Sequence, residues 1–248
     1  MHGPRKFGGM REGSRRATAF DDILHAADST SCMAAFRAAL APYSIDTFAS
    51  GEVDLSTRAR SVFYIIDWPE DWRRHYFSSD LLERDPVVEN IAYFRAPFTW
   101  QELRASRRLA QIGSESFDRV TAAGWHDGLV VPIARGGTRY GLVSIVSRRI
   151  ISARDKAAMF PLCICFHSVI GTLVRRDGFA VPPAGLTPRE IECLALVARG
   201  LPDRRIAAAL GISPATAHEH VERAKRRLEA KNRAELAAVA VSLGIVSA

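Results

Sequence analysis

The chain has 248 residues, 48% of them hydrophobic and 25% charged, with a net charge of +7. That length and balance suit one large or two smaller globular domains, each burying its own core, and no apolar run is read as reaching the ~18 residues a bilayer span needs. The charge is uneven: residues 1–16 carry +4, residues 17–184 balance to zero and residues 185–248 carry +3. Contact with a polyanion is therefore expected of the C-terminal part.

In chain order, residues 1–16 (MHGPRKFGGMREGSRR) are basic and glycine-rich and lack the apolar core of a signal peptide. They predict a flexible arm on a cytoplasmic protein. From Phe20 to Leu40, apolar residues at Ile23, Leu24, Ala27, Cys32, Ala35, Phe36 and Leu40 have the spacing of one or two amphipathic helices. Residues 44–49 and 60–66 read as strands, the second from its SVFYII run. Pro69 opens a short helix to about residue 79, with Glu70 and Asp71 in its electropositive first turn. A further helix starts at Pro86, and a long one is expected over about 100–123. Residues 129–134 and 140–147 are two strands joined through RGGTR, a hairpin with a Gly-Gly turn. Residues 153–175 form a helix interrupted or bent at Pro161. This order predicts an α+β fold whose N-terminal domain, residues 17–175, is an α/β/α sandwich around a mainly antiparallel sheet.

The composition breaks at RRDGFAVPPAGLTPRE, which places a linker at 176–185. Beyond it, residues 186–248 predict a small all-α domain with helices at 187–199, 203–210, 213–229 and 232–243. Cys32, Cys163, Cys165 and Cys193 lie mostly in apolar runs and are expected as reduced core thiols.

The stretch from Leu186, LTPREIECLALVARGLPDRRIAAALGISPATAHEHVERAKRRL, contains two helices around a tight turn. Asp203 is expected to cap the first, with Ile206 and Leu210 on its core face. Gly211 can take the left-handed conformation that ends a helix. Ser213 caps the second, with Pro214 at its first position. Ala217, Val221, Ala224 and Leu228 make an inward stripe, leaving Thr216, His218, Glu219, Glu222, Arg223, Arg226 and Arg227 outside. This is the outline of a helix-turn-helix, which a plain helical hairpin with solvated charges shares.

The segment resembles the four-helix DNA-binding domain of LuxR-type regulators at Leu186–Glu190, Leu194, Gly200, Ile206-Ala207, Leu210–Ser213, Thr216, His220-Val221, Leu228 and Arg233. The resemblance implies that the helix from Pro214 lies in the major groove of double-stranded DNA. Ala215, Thr216, His218, Glu219 and Glu222 would then meet bases or nearby phosphates, and Arg204, Arg205, Lys225, Arg226 and the helix N-terminus would clamp phosphates. Two positions depart from the pattern. Ala217-His218 stands where many relatives have Val-Lys, and Glu229 where a glycine commonly ends the helix.

The stretch WPEDWRRHYFSSDLLERDPVV, from Trp68 to Val88, concentrates aromatic donors just before an Asp-Pro step. Trp72 and Tyr76 share a helix face, and an indole offers one N–H donor and no acceptor. Asp85, held extended by Pro86, offers only acceptors. Donors and an acceptor on neighbouring elements can bracket a small ligand with a carbonyl and an N–H. Equally, the aromatics can fill core and Asp85-Pro86 can start a helix.

This half is similar to the domain of LuxR-type regulators that binds N-acyl-homoserine lactones, with Trp72, Tyr76, Asp85, Pro86, Trp100 and Gly128 at the expected identities and spacings. The resemblance implies that Trp72 donates to the lactone carbonyl and that Asp85 accepts from the ligand amide. Tyr76 and Trp100 would line the pocket, and Ser144 would reach the acyl carbonyl. Trp68 replaces a tyrosine of many relatives, which predicts a shortened pocket for a compact, branched or aromatic acyl group.

The reading is a quorum-sensing transcription factor, not an enzyme, with a lactone signal and no cofactor or metal. It would act as a homodimer on a palindromic promoter site, with RNA polymerase as a further candidate partner. The alternative is a regulator of the same type that answers a non-lactone metabolite or acts without ligand. The 153–175 helix and Leu236, Val239, Val241 and Leu243 are the expected dimer surfaces. A receiver domain is disfavoured, and Cys163-x-Cys165-x-His167 reads as core rather than as a metal or thiol centre.

Overall fold

The computed structural model describes residues 17–57, 60–78, 85–94, 96–106, 120–177 and 186–246. The predicted arm (1–16), most of the predicted linker and much of the predicted 100–123 helix lie outside these residues.

After a helical stretch over 17–24, helix α1 (Ser29–Leu40) leads through a 3-10 turn (Ala41–Tyr43) into β1 (Ile45–Asp54) and β2 (Val62–Ile66). Helices α2 (Glu70–Ser78) and α3 (Pro86–Asn90), the short strand β3 (Phe98–Thr99) and helix α4 (Trp100–Ala105) follow. The hairpin of β4 (Asp127–Gly136) and β5 (Arg139–Ser147) precedes the long helix α5 (Ala153–Asp177). The five strands form one antiparallel sheet in the order β2-β1-β5-β4-β3. This is the predicted α+β sandwich.

Strand alternation sends side chains into two separate cores. On one face, Phe48, Val143 and Ile145 pack against Phe36 of α1 and Phe166 of α5. Phe36 and Phe166 stack with ring centroids 3.9 Å apart, and Phe48 meets both edge-on. On the other face, Leu142, Val146 and Phe63 meet Tyr76, Trp100 and Trp125.

β1 continues five residues beyond the predicted strand, through the polar SGEVD. Its buried carboxylates are satisfied: Glu52 accepts from Tyr64 Oη (2.5 Å) and Arg139 Nη2 (2.8 Å), and Asp54 from Ser56 and Thr138. Gly51 marks a bulge in the β1–β2 register, where a Cβ would lie 2.3 Å from the Val62 carbonyl oxygen. The turn of the β4–β5 hairpin has Gly136 and Gly137 at positive φ, 107° and 59°, as the Gly-Gly pair predicts.

Two expectations change at α5. Of the expected interruption or bend at Pro161, the interruption does not occur: Pro161 and Ala157, whose carbonyl loses its partner, both face water. The helix is also long and apolar enough to cross a membrane, with mean hydropathy 1.9 over its best stretch. The 18 residues from Ala157 to Val174 are uncharged but include Pro161, His167, Ser168 and Thr172, so they do not read as one continuous apolar run. Of that stretch 56% is buried, with Met159, Leu162, Cys163, Phe166 and Ile170 packed against the sheet.

The C-terminal helices α6 (Pro188–Ala198), α7 (Asp203–Leu210), α8 (Pro214–Arg227) and α9 (Arg233–Ser242) enclose a third core around Leu194, Ile206, Val221 and Leu236. Thr187 and Glu190 form a capping box on α6, Gly211 ends α7 at φ 66°, and Ser213 caps α8 by accepting from the Thr216 N–H. Asp203 does not cap α7. It is the first helical residue, Pro202 holds the cap position, and the carboxylate binds elsewhere.

Leu236, Val239 and Leu243, expected at a dimer surface, are buried in this domain's own core. Only Val241 of that group is exposed. Glu229 takes φ 50° just past α8, a left-handed conformation that strains a residue with a Cβ. Glu229→Gly is expected to stabilise the C-terminal helices by up to about 1 kcal/mol, read as slower amide hydrogen exchange in α8 and α9.

Candidate functional site

A cavity of about 90 Å³ lies between the sheet and helices α2 to α4. Its sheet side comes from Ala49, Ser50 and Gly51 of β1, Phe63 of β2, and Leu142, Ser144 and Val146 of β5. Its other walls include Trp68, Trp72, Tyr76, Asp85, Pro86 and Val87. Trp100, Val120 and Trp125 complete the lining. The chain has four tryptophans, and all four line this one space.

Asp85 supplies the charge in a mostly apolar lining. Pro86 holds it extended at φ −70°, ψ 114°, where it caps α3. Its Oδ1 accepts from the Val87 N–H at 2.8 Å and its Oδ2 from the Tyr76 hydroxyl at 2.8 Å. Burial raises its pKa above the usual carboxylate value, against the lowering effect of these hydrogen bonds. The Val88 N–H also stabilises this carboxylate, so Asp85 gathers donors from the first turn of α3 and from Tyr76.

The aromatic rings brace one another. Trp68 meets Tyr76 edge-on at 4.8 Å and Phe63 at 6.0 Å, and Trp72 meets Trp125 at 5.2 Å and 79°. Such edge-to-face contacts suit the ring quadrupoles. Trp100 opens α4 behind a Thr99–Glu102 capping box. Its indole lies flat on Gly128, where a Cβ would come within 2.4 Å of Cε2. Gly128 therefore seats Trp100 rather than lining the cavity, which separates it from the other seven expected ligand residues.

Sequence reasoning missed Trp125. It lies 40 residues beyond Asp85 and belongs to no motif, but the scarcity of tryptophan was a usable signal. The apolar contributions of Phe63, Val120, Leu142 and Val146 carry no signal that separates them from ordinary core.

The Cys-x-Cys-x-His stretch lies on the opposite face of the sheet. Cys163 and His167 are buried there, and burial pushes the Cys163 and Cys165 thiols up, away from thiolate. Among the described residues no three His, Cys, Asp or Glu side chains gather as metal ligands.

In the C-terminal helices, Ala217, Val221, Ala224 and Leu228 face inward as their spacing predicts. Arg204, Arg205, Ala215, His218, Glu219 and Arg226 are exposed along α7 and α8, while Thr216, Glu222 and Lys225 are half-buried. Several are engaged within the chain. Lys225 binds Glu222, Arg223 binds Glu219, and Arg227 reaches the buried Glu190 at 2.6 Å. His218 Nδ1 lies 2.8 Å from Asp203 Oδ2, while Arg233 holds Asp203 Oδ1 at 2.7 Å. The acid expected as a helix cap thus orients the imidazole on the outer face of α8 instead.

Residues 28–169 match the family model described as "Autoinducer binding domain", and residues 184–240 match "Bacterial regulatory proteins, luxR family". The chain is 25% identical over 233 residues to the quorum sensing-dependent transcriptional regulator RpaR of Rhodopseudomonas palustris, covering 94% of this chain and 95% of that one. It is 28% identical over 218 residues to the transcriptional activator BjaR1 of Bradyrhizobium diazoefficiens, covering 87% and 89%. Against the activator LuxR of Aliivibrio fischeri it is 25% identical, covering 75% and 76%. The fold matches the crystal structure of Escherichia coli SdiA with a TM-score of 0.55 at 18% identity, over 94% of this chain and 98% of that one. The chain therefore belongs to the LuxR family of bacterial regulatory proteins, joining an autoinducer-binding domain to the family's DNA-binding helix-turn-helix.

Proposed function

We propose that this autoinducer-binding transcriptional regulator takes an N-acyl-homoserine lactone with a compact acyl group and then binds a palindromic promoter site as a homodimer in the cytoplasm. The observation that carries the reading is the enclosure of Trp72, Tyr76, Asp85 and Ser144 in one cavity with every tryptophan of the chain. Trp72 donates its N–H to the lactone carbonyl. Asp85, already holding the Tyr76 hydroxyl, accepts from the ligand amide through a charge-assisted bond. Ser144, on the sheet, donates to the acyl carbonyl.

The sensor comprises residues 17–175 and the DNA reader residues 186–248. A ligand buried in the sensor favours its folded state by mass action, the more so the further its concentration exceeds the dissociation constant. The outer side of α5, where Phe160 is 39% exposed, meets the second copy. Two α8 helices then read half-sites about 34 Å apart. Ala215, Thr216, His218, Glu219 and Glu222 face the bases, and Arg204, Arg205, Lys225 and Arg226 the phosphates.

The test is expression of the full chain with and without a panel of straight-chain, branched and aryl lactones. Mass spectrometry of co-purifying small molecules and selection of bound DNA from a random pool complete it. The expected result is a retained lactone with a compact acyl group and a two-fold symmetric DNA site. Retention of a non-lactone metabolite, or of nothing, with the same DNA site would favour a regulator answering another signal.

A further inference from the structure

We infer that Trp125 is a positioning residue for Trp72: anchored by Asp46, it holds the Trp72 indole in the rotamer that meets the lactone ring carbonyl. The inference rests on the lactone reading and deepens it at the headgroup end of the cavity.

Trp72 needs such a support. It is half-buried on a nine-residue helix, and its neighbours Asp71 and Arg73 face water. Its aromatic contacts among the described residues are with His75 at 5.9 Å and Trp125 at 5.2 Å. His75 belongs to the same helix and moves with it. Trp125 is the contact that comes from another part of the fold, and it meets Trp72 edge-on at 79°.

Trp125 is itself fixed. It is 3% exposed, and its indole N–H donates to Asp46 Oδ2 at 2.7 Å. The other oxygen of Asp46 accepts from Arg148 Nε at 3.2 Å. The Trp125 backbone N–H donates to the Val120 carbonyl at 3.0 Å. Asp46 belongs to β1, Arg148 directly follows β5, and Trp125 stands two residues before β4. The ring is thereby tied to the end of the sheet through a bond to a charged group, typically stronger than a neutral one.

The two indoles divide the work. The N–H of Trp125 is committed to Asp46, so this ring offers the ligand no donor, and Trp72 takes that part. An edge-to-face pair favours one mutual orientation, so the anchored ring selects among the rotamers of the half-buried one. Without it Trp72 spreads over several staggered wells, and affinity falls by the fraction of molecules that hold the productive one. That loss concerns the ring carbonyl alone. It leaves the contacts of the ligand amide and acyl group in place.

The test is calorimetric titration of the full-length protein with straight-chain, branched and aryl homoserine lactones. Each is paired with the cyclopentylamide of the same acyl group, which lacks the ring carbonyl. Wild type, Trp72→Phe, Trp125→Leu, Trp125→Phe, Asp46→Ala, Asp46→Asn and the double variant Trp72→Phe/Trp125→Leu are compared. Wild type should prefer each bound lactone to its cyclopentylamide. Trp125→Leu should weaken the lactone by about tenfold and the cyclopentylamide by no more than about twofold. Asp46→Ala and Trp125→Phe should do the same by a smaller factor, whereas Asp46→Asn, which keeps an acceptor for the indole, should stay near wild type. In the Trp72→Phe background, Trp125→Leu should change the lactone preference no further. If Trp125→Leu does not fold, Asp46→Ala and Trp125→Phe decide the question. Equal weakening of both ligands, as a merely structural role would give, or an unchanged preference in the folded variants, overturns the inference. Wild-type protein that binds no lactone, or that binds lactone and cyclopentylamide alike, removes the underlying functional reading instead.

Discussion

Asp85→Asn is expected to weaken lactone binding by about 10- to 150-fold, the equivalent of roughly 1.5–3 kcal/mol for a hydrogen bond to a charged group. An asparagine oxygen can still cap α3 by accepting from the Val87 N–H, with the amide group donating to the Tyr76 hydroxyl oxygen, so the local fold survives. Its amide group would then turn an N–H towards the ligand's own N–H, placing donor against donor. The ligand-free protein should not lose stability, because the carboxylate that burial disfavours is gone. Asp85→Ala should weaken binding as much, and should also destabilise the free protein by ~1 kcal/mol through the lost cap. Titration of both variants, with urea unfolding of the free forms, separates the ligand-binding role from the capping role. Wild-type affinity in Asp85→Asn would remove Asp85 from the binding site.

The second large effect concerns His167, on the other face of the sheet. The imidazole is fully buried beneath Gly141, where a Cβ would lie 2.4 Å from its Nε2, and its Nδ1 is 2.9 Å from Ser50 Oγ. Burial, helped by the positive charge of Arg135, pushes its pKa down to about 4 from an ordinary 6.5. Between these values the unfolded chain binds a proton that the folded chain refuses. The contribution to stability is thus full above pH 6.5 and is lost as pH falls towards 4, by up to roughly 3 kcal/mol.

Glu52, Asp46 and Asp54 have lowered pKa values, so their contributions fade only below the ordinary carboxylate range. Asp85, whose pKa is raised, works in the opposite sense: the folded state gains relative stability as the pH falls through its pKa. The useful quantity is therefore the difference between wild type and His167→Gln, which cancels the carboxylates common to both. Indole fluorescence isolates the sensor, since all four tryptophans lie in it. Wild type should lose about 2 kcal/mol more than His167→Gln between pH 7 and 5. Parallel curves would show that the imidazole is not shielded as the structure has it.

Much of this architecture was legible because local rules and tertiary packing agree. Ser213-Pro214, Thr187-x-x-Glu190 and Gly211 fix the ends of the C-terminal helices through contacts within a few residues. The 4-3-4 stripe of α8 identifies its buried side without further information. The sequence hid features whose physics is non-local. The polar end of β1 carries no strand pattern because its carboxylates are satisfied from a distance: Arg139 of β5 and Tyr64 of β2 bind Glu52, and Thr138 of the β4–β5 turn binds Asp54. Asp203 looked like a cap because nothing local announces that His218 and Arg233 converge on it. Leu236 and Val239 were read as a dimer face although the fold turns them inward.

The candidate site divides in the same way. Trp68, Trp72, Tyr76 and Asp85 lie within 18 consecutive residues and announce one another. Trp125 reaches the cavity only through the pairing of β4 with β5 and β1 with β5. A short-range pattern cannot carry that relation. The seat that Gly128 provides for Trp100 is similarly a contact between distant segments, visible only as the cost of an added Cβ.

The most direct measurement is a crystal structure of the full chain grown with a compact acyl-homoserine lactone. The headgroup should sit with its ring carbonyl on the indole nitrogen of Trp72 and its amide hydrogen on the carboxylate of Asp85. A headgroup held by other side chains, with these two turned away from it, would contradict the account.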